Sequence, residues 1–134
     1  MSILSHFFVA EPEVALRNDG GAGQVPELRA EWRRVFAEHL KPLSELLIGT
    51  SEGFDTVAKA DDYSSFTTRL PDALVRSLAD IPDPTAASTV QQWAQSEDVW
   101  DANETELAAL LQDLRRLAVA AARDGRGLFL WNSE

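Results

Sequence analysis

The sequence predicts one domain, residues 1–134, of the α/β or α+β class, with a small mixed sheet flanked by helices. Three observations predict this class. An apolar run of strand length occupies residues 3–10, a second occupies residues 128–131, and the segments with helical periodicity between them outnumber the strands. Strands that are apolar on both faces belong inside a sheet. We therefore expect the N- and C-terminal strands to lie in its interior, with their relative direction left open.

The N-terminal segment predicts a strand, a short helix and a loop. The first strand contains Phe7 and Phe8 and ends near Pro12, which fits the first turn of a helix. Residues 18–23 then have the sequence Asn-Asp-Gly-Gly-Ala-Gly, which is rich in residues that tolerate a positive φ and poor in side chains to bury. These residues are predicted to form a flexible surface loop.

A second helix is predicted from Pro26 onward, because apolar residues and a histidine recur there at three- and four-residue steps. They are Leu28, Trp32, Val35, Phe36 and His39. Pro42 should break or kink this helix, and a further turn or two should continue to Gly49.

The middle of the chain is less regular. Residues 50–62 are polar and weakly patterned, which indicates a loop with at most a short extended piece at residues 55–58. Residues 63–70 are rich in β-branched and aromatic types and predict a strand. Pro71 begins another short helix, and the Pro-Asp-Pro segment at residues 82–84 ends that helix and caps the next one.

The longest helix is predicted to follow Asn103, a good N-cap with Glu106 at the capping-box position. Gly125 can adopt the left-handed conformation that ends a helix. The apolar stripe of this helix is Leu107, Leu110, Leu111, Leu114, Leu117, Ala118 and Ala121. The predicted core of the domain is Phe7, Val9, Trp32, Phe36, Leu74, Leu78, Leu110, Leu114, Leu117 and Phe129.

Charge and composition restrict the partners. The formal net charge of −10 disfavours nucleic acid and anionic membranes and favours a basic protein partner, although such charge also serves solubility alone. Without cysteine there are no disulfides, thiolate zinc sites or cysteine catalysis. We expect a cytoplasmic protein, because no signal peptide or membrane-spanning run is evident. Ten arginines against two lysines are typical of a GC-rich bacterial genome.

No catalytic motif supports an enzyme. The chain has no nucleophile elbow, phosphate loop or zinc-protease motif, and we expect no metal or cofactor. His39 lies on an apolar stripe and is expected to be a packed histidine. The enzymatic alternative is a hydrolase-like or proton-transfer site in which His6 acts as the base and Asp61 or Asp62 orients it.

An acidic stretch around a tryptophan is the predicted binding surface. Its residues are Glu97, Asp98, Trp100, Asp101 and Glu104. Their spacing does not match a calcium loop, and Asp101 and Glu104 can also cap a helix or complement its dipole. Carboxylates around an indole favour contact with a basic protein patch. We expect a non-catalytic protein-binding module, immunity-type or regulatory; a homodimer that buries Trp100 is an alternative.

The order of these elements resembles a known family. Phe-Phe-Val-Ala-Glu-Pro-Glu-Val at residues 7–14 precedes a tryptophan-bearing helix that ends in Leu-Leu-Ile-Gly-Thr at residues 46–50. Arg-Leu-Pro-Asp-Ala-Leu-Val follows at residues 69–75, and a last helix leads into an apolar strand. This pattern, which spans nearly the whole chain, resembles the YfbM-like bacterial domain of unknown function. The resemblance implies an α/β layered domain and adds no activity.

Overall fold

A computed structural model describes residues 4–21, 24–62, 64–96 and 103–133 of the chain. Its strands are β1 (Leu4–Ala10), β2 (Arg29–Arg33), β3 (Asp55–Lys59), β4 (Ser65–Arg69) and β5 (Gly127–Ser133). Its helices are α1 (Pro12–Ala15), α2 (Ala37–Ile48), α3 (Asp72–Asp80), α4 (Asp83–Ala94) and α5 (Glu104–Asp124), and a 3₁₀ turn at Pro26–Leu28 precedes β2.

The five strands form one sheet in the order β2-β1-β5-β4-β3. The two terminal strands are adjacent at its centre, and their register runs from Leu4 opposite Ser133 to Ala10 opposite Gly127. Every strand pair in the described part of the chain is antiparallel. The predicted placement of the terminal strands is therefore confirmed, and the fold is α+β with an antiparallel rather than a mixed sheet.

The two faces of the sheet are covered differently. On the first face, side chains such as Phe7 and Leu130 contribute to the main core with α2, α3, α4 and α5. On the second face, Phe8 and Phe129 stack with ring centroids 5.5 Å apart and pack with Ala15 of α1. Because successive residues of a strand point to opposite faces, the unbroken apolar runs of β1 and β5 supply both cores.

The long helix α5 begins and ends where its caps predict. The Asn103 Oδ1 accepts a hydrogen bond from the Glu106 backbone N–H at 2.8 Å, and Gly125 has a φ of 66°. The helix packs directly on β1 and β5, while α3 and α4 pack on α5 and α2 packs on both α3 and α4. Among the described helices, none combines the length and apolar composition needed to span a bilayer.

The helix predicted from Pro26 is wrong. A single 3₁₀ turn follows Pro26, and β2 then pairs with β1, so that Ala30 lies opposite Phe7. Trp32 is half-buried on this edge strand, and its Nε1 donates to Asp113 Oδ2 of α5 at 2.9 Å. The helical spacing of these apolar residues is a coincidence. Pairing with the open edge of β1 determines their extended conformation.

Of the two predicted effects of Pro42, the break in the helix is wrong, while the kink stays a prediction. Helix α2 runs through Pro42 from Ala37 to Ile48 and ends at Gly49, with a φ of 77°, as expected. Pro42 lies beyond the first turn, so the missing N–H removes one hydrogen bond of the helix, while buried Leu40 and Leu43 hold the segment on the core.

Most of the remaining elements agree with the sequence. The extended piece expected at residues 55–58 is β3, the strand expected at residues 63–70 is β4, and α3 and α4 follow their prolines. Trp32 and Phe36 are half-buried, which corrects their assignment to the core. The other predicted core residues are buried: Phe7, Val9, Leu74, Leu78, Leu110, Leu114, Leu117 and Phe129.

Residues 18–21 of the predicted surface loop are instead part of a strap, residues 17–21, that crosses the second face; residues 22 and 23 of that loop lie outside the described residues. Gly20 and Gly21 are buried there at φ values of 69° and 75°. A Cβ on Gly21 would lie 2.7 Å from Phe8, and a Cβ on Gly20 would lie 2.7 Å from Trp131. These glycines are therefore needed for close approach to the sheet as well as for their backbone conformation.

We expect Gly21→Ala to destabilise the fold more than Gly49→Ala, a matched control. Both glycines have a positive φ, so each alanine costs about 1 kcal/mol of conformational strain. Nothing lies within 4 Å of a Cβ at Gly49, whereas the overlap with Phe8 at Gly21 adds about 1–3 kcal/mol. Urea unfolding of both variants measures the difference, and equal losses would mean that the strap does not press on the sheet.

Candidate functional site

Only one residue of the predicted acidic binding surface lies within the described part of the chain. Glu97, Asp98, Trp100 and Asp101 fall outside the described residues. Glu104 is exposed in the first turn of α5. Its carboxylate therefore complements the positive end of the helix dipole, as the sequence predicted.

Glu104 borders a groove of about 470 Å³ between α4 and α5. Small side chains such as Ala86 and Ala108 open this α4–α5 groove, and Leu111 is buried in its floor. Its lining is Asp83, Ala86, Ala87, Val90, Gln91, Glu104, Thr105, Ala108, Leu111 and Gln112.

The two carboxylates of the α4–α5 groove differ in their partners. Arg115 Nη2 pairs with Asp83 Oδ1 at 2.9 Å and also donates to the Ile81 carbonyl. Glu104 makes no ion pair with any residue that the structure describes. Among the described residues, Glu104 is therefore the carboxylate of the groove that has no ion pair.

A second concave site, of about 390 Å³, lies on the other side of α4, against α2 and α3. We call it the α2–α3–α4 cleft. Among its described lining residues Asp80 is the single charged side chain, and four hydroxyl groups line the cleft. The full lining is Leu46, Leu47, Ser77, Asp80, Ile81, Pro82, Thr85, Ser88, Thr89 and Gln92.

Helix α4 thus forms a ridge between two acid-lined depressions, and we call this surface the α4 face. The exposed side chains on the ridge are short or uncharged, such as Ala87, Ser88 and Gln91. A surface with few charges at its centre and carboxylates at its margins has the composition of a protein interface, in which the core is depleted of charge and the rim is polar.

The histidine of the enzymatic alternative lies on the second face, beneath the strap. His6 is half-buried, and its Nδ1 lies 3.1 Å from Arg29 Nη2. Because a guanidinium can only donate, Nδ1 is the acceptor and the neutral ring carries its proton on Nε2. Arg29 also donates through Nε to the Gly20 carbonyl at 3.2 Å and pairs with Glu31 at 3.3 Å.

The structure does not bring His6 together with Asp61 or Asp62. The His6 ring packs against Trp131, with ring centroids 5.0 Å apart, and β5 separates β1 from the hairpin that carries the two aspartates. Asp62 is exposed, and its Oδ1 accepts hydrogen bonds from the backbone and hydroxyl of Ser64. His6 therefore has an arginine as its charged hydrogen-bond partner, which disfavours the protonated state that a catalytic base must reach.

The strap is fastened to the sheet by the side chain and backbone of Asn18. Asn18 Nδ2 donates to Ser65 Oγ at 2.8 Å, and its Oδ1 accepts from Thr67 Oγ1 at 2.9 Å. Trp131 Nε1 donates to the Asn18 carbonyl at 3.0 Å. These polar groups form hydrogen bonds with one another and hold the strap on the sheet, which indicates a structural role for them.

His39 likewise has a structural role. It is half-buried in α2, and its Nδ1 accepts a hydrogen bond from the Phe36 N–H at 3.0 Å at the beginning of that helix. Its backbone carbonyl accepts from the indole of buried Trp93 at 2.9 Å. The expectation of a packed histidine is therefore supported.

The described residues contain no group of three or more histidine, aspartate or glutamate side chains that could hold a metal ion. The chain matches no family model, no curated protein and no solved structure in the comparisons made. The resemblance to the YfbM-like domain therefore stays a prediction from the sequence.

The α2–α3–α4 cleft was not predicted from the sequence. One signal was present: Thr85, Ser88, Thr89 and Gln92 recur at helical spacing and place a polar stripe along α4. The stripe indicates a solvated face equally well. The polar stripe lines a cleft because the ends of α2 and α3 lie close to α4. No local sequence pattern predicts that these helix ends come together.

The pH dependence of stability tests the arrangement around His6. Burial, and then the positive charge of Arg29, lower the pKa of His6, while Glu31 and the Gly20 carbonyl act in the opposite direction. Below about pH 6.5, the ordinary histidine value, the unfolded chain therefore binds more protons than the folded chain. We expect the free energy of unfolding to be highest above this value and to decrease as the pH falls through and below it.

His6→Asn keeps an acceptor near the Nδ1 position but cannot titrate, so we expect its stability to decrease less between about pH 8 and about pH 5. Urea unfolding of both proteins at each pH gives the comparison. His39 is present in both, so its contribution cancels. Parallel losses in the two proteins would show that His6 is not the source of the dependence.

Proposed function

We propose that the chain is a bacterial cytoplasmic protein-binding module, immunity-type or regulatory and without catalytic activity, that binds a basic protein partner. The proposed contact surface is the α4 face together with the acidic segment that ends at Glu104. One observation carries the proposal: in a chain of formal net charge −10, the exposed Glu104 at the α4–α5 groove forms no ion pair with any residue that the structure describes.

Charge supports a basic partner in two ways. At long range, the net charge raises the rate of encounter with a positive protein and repels polyanions. At short range, Glu104 has no ion pair with a described residue that would have to break when it contacts a partner. The carboxylate is therefore free to form a new pair.

The shape of the α4 face favours a protein rather than a small molecule as the binding partner. Neither depression is enclosed, and both lie beside a ridge of short side chains, whereas small-molecule sites bury most of the ligand surface. Ala87 and Ala108 leave room between α4 and α5 for the side chains of a partner.

We expect Glu104→Lys to reduce capture of a basic partner from a lysate of the native host by roughly tenfold at low salt. The matched control is Glu13→Lys, because Glu13 is also exposed in the first turn of a helix but belongs to α1, on the opposite face of the sheet. Both changes alter the net charge equally and oppose a helix dipole. Quantitative mass spectrometry of proteins captured by immobilised wild type and both variants gives the comparison.

The proposal fails if the two variants lose the same proteins to the same extent, because net charge alone would then explain capture. It also fails if wild type captures no basic protein at low salt. Light scattering of the purified chain tests the homodimer alternative, for which the molar mass would be twice that of the 14.8 kDa chain.

A further inference from the structure

A single guanidinium joins β1, β2 and the strap where they meet at His6. Arg29 of β2 donates through Nη2 to His6 Nδ1 at 3.1 Å, and through Nε to the carbonyl of Gly20 in the strap at 3.2 Å. The same Nη2 pairs with Glu31 at 3.3 Å. One donor side chain is thus shared by three acceptors, and one of these acceptors is a ring that titrates near neutral pH.

Two charged side chains of β2 face this ring. Glu31 is directly opposite His6 in the register of β1 and β2, and Arg29 is the hydrogen-bond partner. Arg33, the remaining charged residue of the strand, lies opposite Leu4 and is exposed. Burial, and then the charge of Arg29, lower the pKa of His6, whereas Glu31 raises it. The ring therefore titrates between one cation and one carboxylate.

The strap and β5 also pack around the ring. From β5, Trp131 lies against His6, with ring centroids 5.0 Å apart, and its indole does not titrate. In the described part of the strap, the charged residues are Arg17, which is exposed, and Asp19, whose Oδ1 accepts from the Gly21 N–H at 3.1 Å. Neither forms a hydrogen bond or ion pair with His6. Arg29 is thus the cation that any change at the ring affects directly.

Protonation changes the balance of donors and acceptors in this cluster. In the neutral ring Nδ1 accepts from Arg29, so three acceptors surround one donor side chain. The imidazolium donates from both nitrogens, so two cations then compete for the Gly20 carbonyl and the Glu31 carboxylate. His6 Nδ1 and Arg29 Nη2, which are 3.1 Å apart, would each direct a hydrogen at the other. The hydrogen bonds of the neutral state are therefore lost.

Arg29 is the cation that can leave. Its side chain is 26% exposed on an edge strand, and a long side chain of this kind can rotate its charged end into water. The His6 ring is held in place, because Trp131 packs against it and a Cβ on Gly20 would lie 3.0 Å from Nδ1. The Gly20 carbonyl also favours the protonated ring. This carbonyl is therefore in position to accept from the protonated Nδ1.

Lifting of the whole strap is the more costly alternative. The Asn18 side chain forms hydrogen bonds with Ser65 and Thr67. Its carbonyl accepts from the Trp131 indole, and none of these groups titrates near neutral pH. The glycine end of the strap lies against Phe8 and Trp131, whose apolar surface would become exposed to water. The strap therefore stays in place when the ring is charged.

We propose that protonation of His6 displaces the Arg29 guanidinium from the strap, and that the ring takes over the Gly20 carbonyl. Arg29 connects β2 to the strap while the ring is neutral and is detached from the strap when the ring is charged. The released guanidinium stays near Glu31 on the edge strand and adds a solvent-facing cation to the second face. The cluster is a proton-operated switch between two sets of hydrogen bonds, and it does not depend on the proposed binding surface.

NMR of the intact ¹⁵N-labelled chain tests the switch between about pH 8 and about pH 5. Long-range correlations of the His6 ring should show a proton on Nε2 at high pH. We expect the Arg29 Nε–H to lose its protection from hydrogen exchange, relative to free arginine, with the midpoint of the His6 titration. The Nδ1–H should become visible at low pH, because the Gly20 carbonyl shields it from exchange. The Trp131 Nε1–H should stay protected throughout.

Substitutions separate the switch from general electrostatics. Arg29→Gln removes a charge, so the pKa of His6 should rise, whereas Glu31→Gln should lower it further. Arg33→Gln is the matched control: it removes the same charge from the same strand at a residue opposite Leu4, and it should shift the His6 titration much less. In His6→Asn, which does not titrate, the Arg29 Nε–H should stay protected over the whole range.

Several results would overturn the proposal. They are a protected Arg29 Nε–H below the His6 midpoint, a proton on Nδ1 at high pH, a ring that does not titrate in this range, or no visible Nδ1–H at low pH. Loss of protection at the Trp131 indole with the same midpoint would mean that the whole strap lifts, which also contradicts it. Equal shifts in Arg29→Gln and Arg33→Gln would make net charge the cause. If Arg29→Gln does not fold, Glu31→Gln and His6→Asn still decide, because both retain Arg29.

Discussion

The pairing of β1 with β5 is the constraint on which the rest of the structure depends. These strands are adjacent at the centre of the sheet and apolar on both faces, so both faces must be covered. Four helices cover the first face. Among the described residues outside the sheet, α1 and the strap cover the second face, and the strap can reach it because Gly20 and Gly21 have no side chains to collide with Trp131 and Phe8.

This arrangement also determines which surface is available for binding. Because α5 takes the place directly on β1 and β5, α4 packs on α5 and α2 and lies in the outer part of the helical layer. Its inward side holds Trp93 in the core, and its outward side borders two depressions. The buried centre of the domain is thus mostly apolar, with a few polar side chains such as Asn132, and carboxylates such as Glu104 lie at the surface around it.

Local sequence signals predict those helices and strands whose ends are marked by residues within the segment itself. Helix α5 was predictable because Asn103 and Gly125 form its caps within the segment itself, and the central strands were predictable from their length and continuous apolarity. Strand β2 was not, because its conformation depends on the edge of β1, more than twenty residues earlier. The contacts of His6 with Arg29, and the lining of the cleft around Thr89, likewise join residues that are distant in the chain, so composition and spacing cannot reveal them.

The central pairing also has a kinetic consequence. The two strands that contribute to both cores are separated by more than a hundred residues, so the chain must close a very long loop before their contacts stabilise it. Folds dominated by such non-local pairs fold slowly compared with those built from local contacts. During synthesis, β5 leaves the ribosome long after β1 and β2. Until then the edge of β1 that pairs with β5 has unpaired backbone N–H and C=O groups, which other strands could bind.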